Sequence, residues 1–129
     1  MPGERSSSKH WVRHLPAVVW MALIFGLSSQ QEFPSPGGLS LELQAVVAHL
    51  ALFGTLALLI TFAFDHLQHS TLEFDSLVIV VVTLYGISDE IHQSFVPGRS
   101  TTFFDVIVDC LGAILALVAL RRFREWRRV

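Results

Sequence analysis

Four apolar runs alternate with polar stretches along the chain, at about residues 11–28, 43–64, 77–96 and 103–120. Each is close to the ~17–25 residues that a helix needs to cross ~30 Å of hydrocarbon. The second run is the cleanest, broken over its 22 residues only by Gln44, His49, Gly54, Thr55 and Thr61. Between the first and second, "EFPSPGGLS" carries two prolines and two glycines and reads as a loop, because neither residue type sustains a helix. The pattern predicts an all-α integral membrane bundle of four transmembrane helices, a single domain over residues 1–129.

The third run sets the problem. Its uninterrupted part, Leu77 to Ile87, is 11 residues, which at ~1.5 Å per residue covers about half of a hydrocarbon core. To span, the helix must continue through "SDEIHQSFV" until Pro97 and Gly98 stop it, taking Asp89, Glu90, His92 and Gln93 into the membrane. Starting the fourth run after Asp109 leaves it equally short, so Asp105 and Asp109 belong on its first turns. Ionisable groups at mid-bilayer cost about 2.5–3.5 kcal/mol each on insertion scales, and such a cost calls for local compensation. Helical spacing offers it. Asp89 stands three residues from His92 and four from Gln93, on one face, while Asp105, Asp109, Gly112 and Ala116 form a stripe on the fourth helix. Small residues in that stripe suit a helix contact better than a lipid face.

Composition agrees with lipid as the solvent: 52% of the 129 residues are hydrophobic and only 16% charged, a balance foreign to a small soluble domain. A small soluble bundle and a nucleic-acid partner both fit it poorly. Positive charge gives an orientation. Arg5, Lys9 and Arg13 precede or open the first run, Arg121, Arg122, Arg124, Arg127 and Arg128 follow the last, and Arg99 alone lies elsewhere. Since cytoplasmic flanks retain Lys and Arg, both termini are expected in the cytoplasm of a multi-pass inner-membrane protein. The Asp65–Asp75 stretch, which must also be inside, has no Lys or Arg, but acidic residues count little in that rule. A cleavable signal peptide over the first run is the rival reading, with a long core and a poor cleavage site. The lone Cys110 allows no intramolecular disulfide.

This orientation gathers the polar residues toward the extracytoplasmic end. The candidate site is His49, Asp89, Glu90, His92, Gln93, Arg99, Asp105 and Asp109. Arg99, just before a helix N-terminus, is a natural partner for a phosphate. The four carboxyl groups could instead hold a divalent metal ion such as Zn2+, Mn2+ or Mg2+, although no HExxH or repeated ligand spacing demands one. Bland readings stand beside these. Thr102 and Asp105 make a capping pattern, His49 suits an internal hydrogen bond, His66 and His69 lie in a polar loop, and Arg99 could merely neutralise Asp89, Glu90 or Asp105. The tail "RRFREWRRV" suits anionic headgroups, with Phe123 and Trp126 at the interface.

The stretch "YGISDEIHQSFVPGRSTTFFDVIVDCLGA", with "SSQ" at Ser28 to Gln30 and "AHLALFG" around His49, resembles the VanZ-like family of small membrane proteins. The resemblance places the family motif on His49, Tyr85, Gly86, Asp89, Glu90, His92, Gln93, Phe95, Pro97, Gly98, Arg99, Asp105, Asp109 and Gly112. Two positions depart from it: Asp109 stands where Asn is more usual, and a Lys often found before the His49 position is missing. The family's founder is associated with reduced sensitivity to the glycopeptide teicoplanin, and most relatives have no assigned activity. The resemblance implies a cell-envelope role. Three functions are carried forward: an accessory protein, without catalysis of its own, that recognises a phosphorylated lipid or cell-wall intermediate; a metal-assisted membrane hydrolase or transferase, with Asp89, Glu90, Asp105 and Asp109 around the ion and His49 or His92 as base; and a purely structural polar clasp.

Overall fold

Lipid-facing helices need no polar outer side, and the four α-helices among the described residues follow that economy. A computed structural model describes residues 11–30, 40–64, 71–99 and 101–128. A short 3-10 turn, Trp11–Arg13, leads into α1 (Leu15–Ser28), followed by α2 (Leu41–Phe64), α3 (Leu72–Gln93) and α4 (Phe103–Trp126). The described residues contain no strand. Three segments, Trp11–Ser28, Leu41–Phe64 and Phe103–Trp126, are long and apolar enough to cross a membrane. At ~1.5 Å per residue α3 is ~33 Å long, a similar length, but it carries Glu73, Asp75, Asp89 and Glu90. Its apolar outer surface continues that of its neighbours: Val80, Val81 and Leu84 are exposed, as are Val18, Val19, Phe62, Leu115 and Val118 elsewhere. In water these side chains would favour burial; against lipid tails they cost nothing.

Contacts at both ends make the helices run alternately up and down. At one end the His14 ring meets Phe64 edge-on at 4.9 Å, Phe64 meets Phe74 at 6.1 Å, and Arg121 pairs with Asp75. At the other, Ser28 reaches Asp89 and His49 reaches Asp109. Helix α4 packs most extensively against α2 and then α3, while α1 rests on α2 and α3. The shared core includes Ile24, Phe53, Leu56, Val82, Ala113 and Leu117.

Two glycines set the α2–α4 crossing. A Cβ on Gly112 would lie 2.7 Å from the Leu50 carbonyl oxygen, and one on Gly54 would lie 3.1 Å from the Gly112 oxygen. Only bare backbone permits this approach. Aromatic polar tips tie α1 to the rest: Trp20 Nε1 donates to the Leu52 carbonyl at 2.9 Å, and the Tyr85 hydroxyl donates to the Met21 carbonyl at 2.7 Å.

Three helix boundaries, two in α3 and one in α4, correct the sequence reading. Expected over 77–96, α3 starts five residues earlier and stops three earlier. The Thr71 side chain caps it by accepting from the Phe74 N–H at 3.2 Å, Glu73 and Asp75 favour its N-terminal turn, and Arg121 compensates the buried Asp75. Length is thus gained at the acidic start rather than toward Pro97. Helix α4, expected to stop at 120, runs to Trp126 because its arginine-rich end contains no glycine or proline to break it. There Phe123 contacts Trp126, and the Arg127 guanidinium sits 5.9 Å above the Phe123 ring. The 32–39 loop, His66, His69, Arg5 and Lys9 lie outside the described residues.

Candidate functional site

The end of the bundle where α1 and α3 finish and α4 begins carries two polar networks. The first is built on α3. Asp89, 4% exposed, meets the Ser28 hydroxyl through Oδ1, and its Oδ2 accepts from Gln93 Nε2 at 2.7 Å. The Ser28 hydroxyl is also 2.7 Å from the Ile24 carbonyl of its own helix. Gln93 Oε1 in turn accepts from Arg99 Nη2 at 2.9 Å.

Local sequence explains how Arg99 comes back to a helix it has already left. Helix α3 stops at Gln93, and Pro97, which lacks an N–H, cannot extend it. The chain turns through successive bonds from Val96 N–H to the Gln93 carbonyl at 2.9 Å and from Arg99 N–H to the Val96 carbonyl at 3.2 Å. Gly98 supplies the left-handed φ of +82° that this reversal requires. On the outer flank His92 Nε2 is 2.9 Å from the Ser29 hydroxyl, and its ring stacks on Phe25 at 4.0 Å.

The second network joins α2, α3 and α4. His49 Nδ1 donates to Asp109 Oδ1 at 2.8 Å, and Asp109 is only 1% exposed. Asp109 is seated against Gly86, where a Cβ would come within 2.6 Å of its Oδ2. Above it, Thr102 binds two carboxylates: its N–H donates to Glu90 Oε2 at 3.1 Å and its hydroxyl to Asp105 Oδ2 at 3.0 Å. Thr102 is the N-cap residue of α4 as expected, yet its hydroxyl makes no capping bond to the helix backbone. It is committed to Asp105 instead, and the Asp105 N–H is taken by the Thr102 carbonyl at 3.0 Å.

All eight candidate residues therefore lie at one end, but in two groups rather than one. Ligand atoms from His49, Glu90 and Asp105 lie within 4.8 Å of one another, the arrangement among the described residues that best suits a metal ion. Asp89, expected beside them, belongs to the Ser28–Gln93–Arg99 chain, and Asp109 holds the imidazole rather than facing the cluster with its Oδ1. The expected four-carboxylate set around one ion is thus divided. Ser29, Phe25 and Thr102 do more here than spacing predicted. Ser28 and Ser29 ended an apolar run, which marked them as boundary residues with no sign of a partner in α3.

A family model described as VanZ/LLP1 matches residues 5–124. Neither a curated protein nor a solved structure matches the chain.

Proposed function

The chain belongs to the VanZ/LLP1 family over residues 5–124, and from that premise we propose that this multi-pass membrane protein recognises a phosphorylated lipid or cell-wall intermediate. It does so as an accessory protein of the cell envelope, without chemistry of its own. The supporting observation is the chain of bonds Ser28–Asp89–Gln93–Arg99, which holds a half-buried guanidinium just ahead of the α4 N-terminus. A planar guanidinium matches phosphate oxygens in pairs, and N–H groups at a helix start favour the same anion. Asp89 acts at a distance in this scheme. It orients the Gln93 amide so that the carbonyl oxygen, not the NH2 group, faces Arg99.

The proposal includes four crossings of the inner membrane, with α3 as the third, both termini in the cytoplasm and the polar end extracytoplasmic. Support comes from the arginines at the far end of α4 and from the alternation of helix direction.

Arg99 separates recognition from a polar clasp. In this reading Arg99→Gln should stay folded in detergent, the lost bond to the neutral Gln93 amide being worth about 1 kcal/mol. Its affinity for a phosphorylated polyprenyl lipid should fall about tenfold or more, equivalent to ~1.4 kcal/mol. Arg99→Lys should recover part of the loss, because a point charge replaces the two-pronged fork. A marked fall in thermal stability without lipid, or full binding by a folded Arg99→Gln variant, would overturn the recognition reading.

A further inference from the structure

We propose that His49, Glu90 and Asp105 form a binding site for one divalent first-row transition-metal ion, Mn2+ or Zn2+. The three come from three different helices, α2, α3 and α4, so an ion here would clasp the polar end of the bundle. Around an ion with bonds of about 2.0–2.2 Å, any two ligands are at most ~4.4 Å apart. The observed span of 4.8 Å or less is within a few tenths of an ångström of that limit.

The surroundings are those of a held ligand set. Glu90 is 9% exposed, and its Oε1 is buried without a hydrogen-bond partner among the described residues. Its other oxygen is occupied by the Thr102 N–H. Asp105 is held the same way through Oδ2 by the Thr102 hydroxyl, a bond that does not involve its Oδ1. One residue therefore orients both carboxylates. His49 gives Nδ1 to the buried Asp109, so Nε2 remains as the nitrogen to bind metal. A carboxylate behind the imidazole is the usual outer support of a metal-bound histidine, fixing the tautomer and the ring. Asp109 cannot drift, since Gly86 seats it and the short α2–α4 crossing lies one turn further along α4.

The donor set narrows the ion. One imidazole with two carboxylates is softer than the all-oxygen shells of Mg2+ and Ca2+ and contains no thiolate, which points to Mn2+ or Zn2+. Three protein ligands leave coordination positions for water or for an anionic oxygen. Use of one such position by the phosphate of the lipid rests on the recognition reading above; the ion site itself does not.

Full-length protein in detergent, stripped with a chelator and free of lipid, tests the site. Mn2+ titration followed by electron paramagnetic resonance and Zn2+ titration by calorimetry should give one ion per chain for at least one of the two metals. Glu90→Gln and Asp105→Asn should each weaken binding at least tenfold, and His49→Gln should do the same. Glu42→Gln, an exposed carboxylate in the first turn of α2, should bind as the parent does. Thermal unfolding with and without the ion provides the second measurement: metal should raise the parental midpoint and leave those of the three ligand variants unmoved. Absence of binding by both metals, or binding and stabilisation that persist in the ligand variants, overturns the site. Because no lipid is present, that outcome would leave the Arg99 comparison standing, and loss of the Arg99 effect would leave the metal titration standing.

Discussion

At the residue scale, the polar end is a set of directional bonds in which each partner admits few replacements. Asp89 accepts from Ser28 and Gln93, and Gln93 can point its oxygen at Arg99 only because its NH2 group is taken by Asp89. Gly86 is the quietest member of the site and among the most constrained. Its absent Cβ leaves room for the Asp109 carboxyl, and an added one would sit 2.6 Å from Oδ2. Gly86→Ala should therefore push Asp109 away from His49 and lower stability by about 1–3 kcal/mol, the usual scale of overpacking. Thermal unfolding in detergent measures this. An unchanged midpoint would show that Asp109 can move without cost. The spacing of Asp109 and Gly112 already marked one stripe of α4, but not that the stripe's carboxyl would be seated on a glycine of α3. Sequence spacing orders residues on one helix and is silent about which neighbour faces them.

At the element scale, α2 and α4 cross where backbone meets backbone. A Cβ at Gly112 would find the Leu50 oxygen at 2.7 Å and its Cα at 3.1 Å, atoms that cannot swing aside as a side chain can. Gly112→Ala should force the helices apart and cost about 3 kcal/mol or more. Gly26 provides the opposite case within one fold, since nothing lies within 4 Å of a Cβ built there. Gly26→Ala should raise stability by about 0.5–1 kcal/mol through helix propensity alone. Equal effects of the two substitutions on the unfolding midpoint would remove the close crossing as an explanation for Gly112. Helix α3 makes a related point about boundaries. Its start was hidden because Glu73 and Asp75 look like loop residues in an apolar chain, and the Arg121 partner that compensates Asp75 inside the helix lies 46 residues on.

At the scale of the whole molecule, alternation of the helices brings the end of α1, the first half of α2, the end of α3 and the start of α4 to one side. If four crossings hold, with termini in the cytoplasm, the connection between α1 and α2 is outside and that between α2 and α3 is inside. With Cys110 replaced by Ala, Ser35→Cys should react with a membrane-impermeant thiol reagent in intact cells, and Ser70→Cys should react only after the membrane is opened. Labelling of both positions, or of Ser70→Cys alone, would overturn the orientation and with it the extracytoplasmic placement of the polar end.

Hydropathy and helical rise are local properties, and they alone determined that this chain is a helical membrane protein with four apolar runs. They also placed Asp89, Glu90 and Gln93 at the end of α3 and Asp105 and Asp109 at the start of α4, although α3 draws its length from its acidic start rather than from the stretch toward Pro97. The motif itself was legible enough to resemble the family that the comparison then matched. Tertiary structure alone decided the pairings: Asp89 with Ser28 across 61 residues, His49 with Asp109 across 60, and Glu90 with the backbone of Thr102. Those choices depend on how far each helix is rotated and how closely two backbones approach at Gly54 and Gly112. Rotation and approach are settled by packing summed over the bundle, a quantity that no single stretch of sequence contains.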